Sequence, residues 1–178
     1  MGLRGMVGDL VTGAVAGYAG TKVMEPVSMA LYKMESPETR AREDAARPGP
    51  PYRLAAEKTA KALGLDLSDK TTERAGMGFH YGLAVSWAPL YGLLRRRAHL
   101  GGPLAALVTG AAMSAVADEA LTPLLGFSAP NRAYPLATHA RGVAAHLVFA
   151  AAVGAVTEAA WALTGRRPSG GAKITVRS

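Results

Sequence analysis

The chain contains no cysteine, which excludes disulfide staples and thiolate metal ligands alike. Aromatic residues are scarce, at 6% of 178 residues, so the chain has no interleaving of basic and aromatic side chains such as a nucleic-acid surface uses. A Ser/His/Asp nucleophile arrangement, a phosphate-cradling glycine loop and a dinucleotide fingerprint are also missing. Motifs therefore give an enzyme no support, and the expectation leans away from catalysis.

What is present is small and apolar. Hydrophobic residues make up 49% of the chain, and the mean hydropathy of +0.13 hides an uneven distribution. Leu100–Ala117 carries no charge, Ala75–Leu94 has His80 as its one ionisable group, and Gly142–Thr157 has only His146. With their flanks these runs approach the ~20 residues that cross ~30 Å of hydrocarbon. Adding a first stretch at 5–31, the pattern predicts an all-α polytopic membrane protein, a bundle of four transmembrane helices. A soluble Ala-rich helical bundle is the competing reading.

Residues 1–165 read as a single membrane domain and 166–178 as a disordered basic tail. Within the domain, 33–74 forms an extramembrane loop. It carries a short amphipathic helix at 52–65, read either as a lid over a membrane cavity or as an interfacial helix on the bilayer. Arg4, an apolar run and Ala14-Val15-Ala16 resemble a cleavable signal, but Asp9 interrupts the run, so a retained signal anchor is expected. Pro26 is expected to weaken or kink the first helix. Gly13-xxx-Gly17 and Gly78-xxx-Gly82 suggest close helix packing.

The net charge of +7 fits a membrane protein better than a nucleic-acid binder. With the N-terminus cytoplasmic, Arg4, Arg95, Arg96, Arg97, Arg166, Arg167, Lys173 and Arg177 all lie inside, and the short opposite loop holds only Arg132. The expected location is a bacterial inner membrane, N-in and C-in. The expected partners are the lipid bilayer and either further copies of the chain or another membrane protein, with no nucleic acid.

Ionisable residues inside apolar stretches are costly, and they mark pathways, relays or ligand sites. Here they are Asp9, Lys22, Glu25, His80, Asp118, Glu119, His139, Arg141, His146 and Glu158. At a rise of about 1.5 Å per residue, Glu25, His80, Asp118, Glu119, His139 and His146 share the outer third of the four helices. Lys22 and Glu25, three apart, are placed to pair, and Asp9 with Glu158 suggests an inner pair. Four readings of the outer cluster stay open. It is polar packing, a proton or ion site, a divalent-metal site for Zn, Fe or Mn, or a haem site between His80 and His146. In the metal reading the ligands are His80, Glu119 and His146, although the Glu-x-x-His spacing of metal-binding bundles is absent.

One stretch of motifs is more specific. Ala117-Asp118-Glu119, Pro123-Leu124-Leu125-Gly126-Phe127, Tyr134-Pro135-Leu136, Thr138-His139 and Ala145-His146-Leu147 follow one another in order. This run, with His80-Tyr81-Gly82, Tyr91-Gly92 and Gly13–Glu25, resembles the YagU-like family of bacterial inner-membrane proteins of uncharacterised function. The match covers most of residues 8–150. It implies a small polytopic membrane protein sharing these acidic and histidine residues, and supplies no substrate. Val148-Phe149-Ala150 departs from the Tyr-Gly that the family places after the last histidine. The leading expectation is transport or proton and ion handling through the cluster. An accessory subunit packed against partner membrane proteins is the alternative, and a metal-dependent membrane enzyme comes third.

Overall fold

The computed structural model describes residues 3–166, and among these the regular structure is entirely helical. In order the elements are α1 (Leu3–Met34), α2 (Pro37–Ala46), α3 (Pro51–Ala62), α4 (Asp69–Arg96) and α5 (Gly102–Met113). A π-helix follows (Ser114–Leu121), then α6 (Thr122–Leu124), a 3-10 turn (Asn131–Ala133) and α7 (Leu136–Leu163). The tail expected to be disordered falls at 167–178, outside the described residues.

Helix starts are written locally. Ser36 caps α2, its Oγ accepting from the Thr39 amide at 3.2 Å, with Pro37 in the first turn. Ser68 caps α4 in the same way, accepting from Thr71 at 3.4 Å. The segment expected to be a charged loop before residue 52 is therefore partly helical, because Ser36-Pro37-Glu38 is a start signal. The predicted helix at 52–65 runs instead from Pro51 to Ala62, ended by Gly64 at φ +68°. Pro26 sits within α1, which stays helical on both sides of it.

Neighbouring long helices run antiparallel. Asp9 and Arg96 meet at one end of the α1/α4 contact, Glu25 and His80 at the other. Likewise α1 meets α7 from Asp9–Arg166 to Glu35–Arg141. The close approaches rest on glycine. A Cβ on Gly17 would stand 2.8 Å from the Ala84 carbonyl oxygen, and one on Gly110 would stand 2.6 Å from that of His146. The second predicted packing motif does not pack, because Gly78 and Gly82 have open space where a Cβ would go.

The interior is built from small and medium residues: Ala16, Ala84, Ala88, Ala105 and Ala150, closed by Tyr91, Phe149 and Val153. Buried Thr21 and Thr109 bond the carbonyls of Gly17 and Ala105 one turn back. Large apolar side chains face outward instead, among them Leu10, Val11 and Val15 on α1, Leu83 and Leu93 on α4, Leu104 and Leu107 on α5, and Val143 on α7. Two helical stretches are long and apolar enough to cross a bilayer: Gly102–Leu124 and Leu136–Leu163, with mean hydropathies of 1.4 and 1.7.

Candidate functional site

The halves of the long helices at the Glu25–His80 end line a cavity of about 490 Å³, and α2 and α3 line one side of it with Glu43, Arg47, Tyr52 and Ala55. The short helix, expected as a lid or as an interfacial helix, contributes Tyr52 and Ala55 to the cavity wall. Ala55, Ala56 and Ala60 are buried, and the Lys58 ammonium donates to the Leu125 carbonyl at 3.1 Å across the cavity rim.

Five of the six predicted cluster residues line the cavity: His80, Asp118, Glu119, His139 and His146. They are not one cluster. Each histidine takes its own carboxylate: His80 with Glu25 at 3.2 Å, His139 with Glu119 at 2.7 Å, His146 with Asp118 at 3.1 Å. Glu25 also pairs with Lys22 at 3.2 Å, as their spacing predicted. The proposed ligand set His80, Glu119 and His146 is divided among these three pairs. Among the described residues no three His, Asp or Glu side chains are grouped to hold one metal ion. Shared depth brought the residues to one level, and helix phase then separated them.

The π-helix explains how consecutive carboxylates both reach α7. His139 and His146, seven residues apart, lie on one face of that helix. Pro123 lacks an amide hydrogen, so the Glu119 carbonyl, four residues back, has no α-helical donor. Winding widens there: the Thr122 amide bonds the Ala117 carbonyl, an i→i+5 contact, and the Thr122 hydroxyl bonds it too at 2.6 Å. Asn131 then supplies the missing donor, its Nδ2 reaching the Glu119 carbonyl at 2.8 Å. The Asn131 carbonyl in turn faces His139 Nε2 at 3.1 Å. His139 thus has an acceptor at each ring nitrogen, and only a ring carrying both protons satisfies both.

His146 differs. Its Nδ1 donates to the Gly142 carbonyl at 2.8 Å, and Asp118 Oδ2 lies 3.1 Å from the same nitrogen. A carbonyl only accepts, so the neutral ring carries its proton on Nδ1 and leaves a lone pair on Nε2. The residue is 8% exposed and lines the cavity. Gly142 leaves the room for this, since a Cβ there would stand 3.5 Å from Asp118 Oδ2.

A second site lay outside the predicted set. Arg141 donates Nη1 to Glu35 and Nη2 to both oxygens of Glu43, at 2.6 and 2.7 Å. Glu43 is fully buried and also accepts from Thr138 at 2.7 Å and from Arg47. The Arg141 guanidinium lies over the Tyr32 ring, 5.0 Å from its centre. Burial pushes the Glu43 carboxyl up, but the donors Arg141 and Thr138 outweigh it and hold the group below the usual glutamate range. The network ties α2 and the end of α1 to α7. A signal for it existed in the sequence: Arg141 has no acid of its own within reach on α7, and 33–51 is rich in acids.

The opposite end is closed by different chemistry. Asp9 takes Arg96 at 2.5 Å and Arg166 at 2.8 Å, while Glu158 takes Arg95 at 2.5 Å and the Tyr91 hydroxyl at 3.0 Å. The expected Asp9–Glu158 pair is replaced by these two arginine clamps, which neutralise charges that would otherwise repel.

No family model, curated protein or solved structure matches the chain.

Proposed function

We propose that the chain is a small integral membrane protein with four spans, N-in and C-in, that takes up and releases protons at the His–carboxylate cavity while handling an ion or small solute. Support for the membrane comes from which side chains face outward. Large apolar residues cover all four long helical stretches, and small residues and hydroxyls fill the interior. In water this arrangement would leave large apolar side chains exposed on every long helix. In lipid it is the expected one, because helix contacts there rely on close approach. The resemblance to YagU-like proteins supports a bacterial inner membrane, and the arginine-rich end supports placing both chain ends inside.

The observation that carries the functional reading is three His–carboxylate contacts at one cavity of a size suited to small molecules, about 300–1,000 Å³. Imidazole is the side chain whose charge changes near neutral pH. A proton arriving through the cavity finds the free Nε2 of His146, and the resulting imidazolium is neutralised by Asp118 on its other side. Proteoliposomes holding a pH-sensitive dye test this. Proton flux above that of empty liposomes is expected, with about tenfold loss or more in Asp118→Asn, given the ~10²–10⁴-fold typical of positioned proton-transfer groups. Wild-type flux equal to that of empty liposomes would sink the reading. Single-cysteine labelling at Ala45 and Ser169 checks the topology. A membrane-impermeant reagent added outside should reach only the first.

The accessory-subunit reading is favoured by one feature, the uncovered Gly78 and Gly82 on α4. It expects stable co-purification with another membrane protein and no flux. A metal-dependent enzyme has no grouped ligand set to stand on.

A further inference from the structure

We infer that the cavity takes an organic cation, a protonated amine with an apolar body, whose ammonium group sits against Asp118. The inference rests on the membrane-cavity reading above and names the solute class.

Charge balance points to Asp118. Arg141 and Arg47 are matched by Glu35 and Glu43, and Lys22 is matched by Glu25. Glu119 faces a histidine whose two nitrogens both meet acceptors, so the imidazolium there supplies its counter-charge. Asp118 alone has no full positive partner. Its Oδ2 lies 3.1 Å from His146 Nδ1, whose hydrogen goes to the Gly142 carbonyl. With its side chain 40% exposed at the cavity and no hydrogen-bond donor on it among the described residues, the Asp118 carboxyl is open to an arriving donor.

His146 makes the same demand independently. It is nine-tenths buried, lines the cavity and has no protein partner at Nε2, where the neutral ring presents a lone pair. The carboxylate beside Nδ1 and the lone pair on the other ring nitrogen are both acceptors at this part of the cavity wall. They suit a head group that donates several hydrogens and carries positive charge, as an ammonium does, and they repel a carboxylate or phosphate. Two such groups fall short of the ligand number a bound zinc ion uses.

The rest of the wall suits the body of such a molecule. Met24, Phe79, Leu83, Met113, Leu121 and Phe127 are apolar, and the cavity volume of about 490 Å³ accommodates an arylalkyl chain. Tyr52 and Tyr134 also line it, giving ring faces to a cation on its way in.

Equilibrium dialysis of full-length protein in nanodiscs, with empty nanodiscs as background, tests the inference. The probes are 4-phenylbutylammonium, 4-phenylbutanol and 5-phenylpentanoate, which share a body and differ in the head. The ammonium is expected to bind about tenfold or more tighter than the alcohol, and the carboxylate weakest. Asp118→Asn should bring the ammonium down to the level of the alcohol while leaving alcohol binding intact, which also reports that the variant is folded. Phe127→Ala should weaken ammonium and alcohol alike. Equal binding of ammonium and alcohol, tighter binding of the carboxylate, no binding of any probe, or an undiminished preference in Asp118→Asn would each overturn it. Proton flux is measured without any probe. Flux without ammonium preference therefore defeats this inference and leaves the proton-handling reading standing, whereas ammonium preference without flux does the reverse.

Discussion

The two ends of the molecule hold their acids in opposite ways. At the end where the described chain starts and stops, every carboxylate meets arginine: Asp9 has two and Glu158 has one, plus a tyrosine hydroxyl. Arginine stays charged at any working pH and forks onto carboxylates, so this end is permanently neutralised and shut. At the other end the carboxylates that line the cavity beside the π-helix meet imidazoles, whose charge is adjustable. The difference teaches that burial alone does not mark a site. A buried acid held by arginine is a clamp, and one held by histidine beside open volume can change state.

Arg141 is the exception at the cavity end, an arginine clamp that holds α2, and breaking it should give the largest effect. Arg141→Ala would leave Glu43 fully buried without its main counter-charge, at a cost of about 3–5 kcal/mol. Hydrogen exchange should then rise across 37–62 while 102–113 stays protected. Uniform exchange throughout would mean that α2, α3 and the packed helices are one unit. Next, Gly110→Ala forces a Cβ against the His146 backbone and should lower stability by about 1–3 kcal/mol, read as the thermal midpoint in detergent. Asp9→Ala attacks the shut end. Loss of charged hydrogen bonds to Arg96 and Arg166 should cost about 1.5–3 kcal/mol and raise proton leak in liposomes. Unchanged leak would show that this end is not the seal.

Acid offers a gentler test of the same clamp. Because the folded Glu43 carboxyl is held below its ordinary value of 4.5, the stability it contributes is complete above about that pH. It drains away as pH falls through the depressed value. Protection factors in α2, which correct for the intrinsic pH dependence of exchange, should fall on that descent and be flat between pH 5 and 7. The smallest effect belongs to Gly78→Ala, which meets open space and should raise stability by about 0.4–1 kcal/mol. A loss of stability there would reveal a partner surface.

Much of this was legible in the sequence because it follows from one helix at a time. The long helices, their apolarity and the shared level of His80, Asp118, Glu119, His139 and His146 all come from counting along the chain. What counting could not give was angle. Depth placed Glu119 and His146 together, but the phase set by the π-helix gave Glu119 to His139 and Asp118 to His146. Asp9 and Glu158 share an end for the same reason, and they are separated by arginines that 1.5 Å per residue also places there. The Arg141 clamp was harder still. Glu43 sits in a stretch that reads as solvated charge, and only the unmatched Arg141 hinted that one of those acids would be drawn inside.

The wide winding at Ser114–Leu121 has a consequence for how this scaffold can vary in length. In an α-helix, adding or removing one residue turns everything beyond it by about 100°, scrambling every later contact. A π stretch already accommodates surplus chain and can give a residue back by tightening to α. Deleting Ala115 should therefore leave a protein that still folds, with its acids re-aimed around the cavity, whereas deleting Ala144 from α7 should abolish folded yield. Insertions and deletions at this one coil are a route by which such a protein could acquire a different solute while keeping the rest of its architecture.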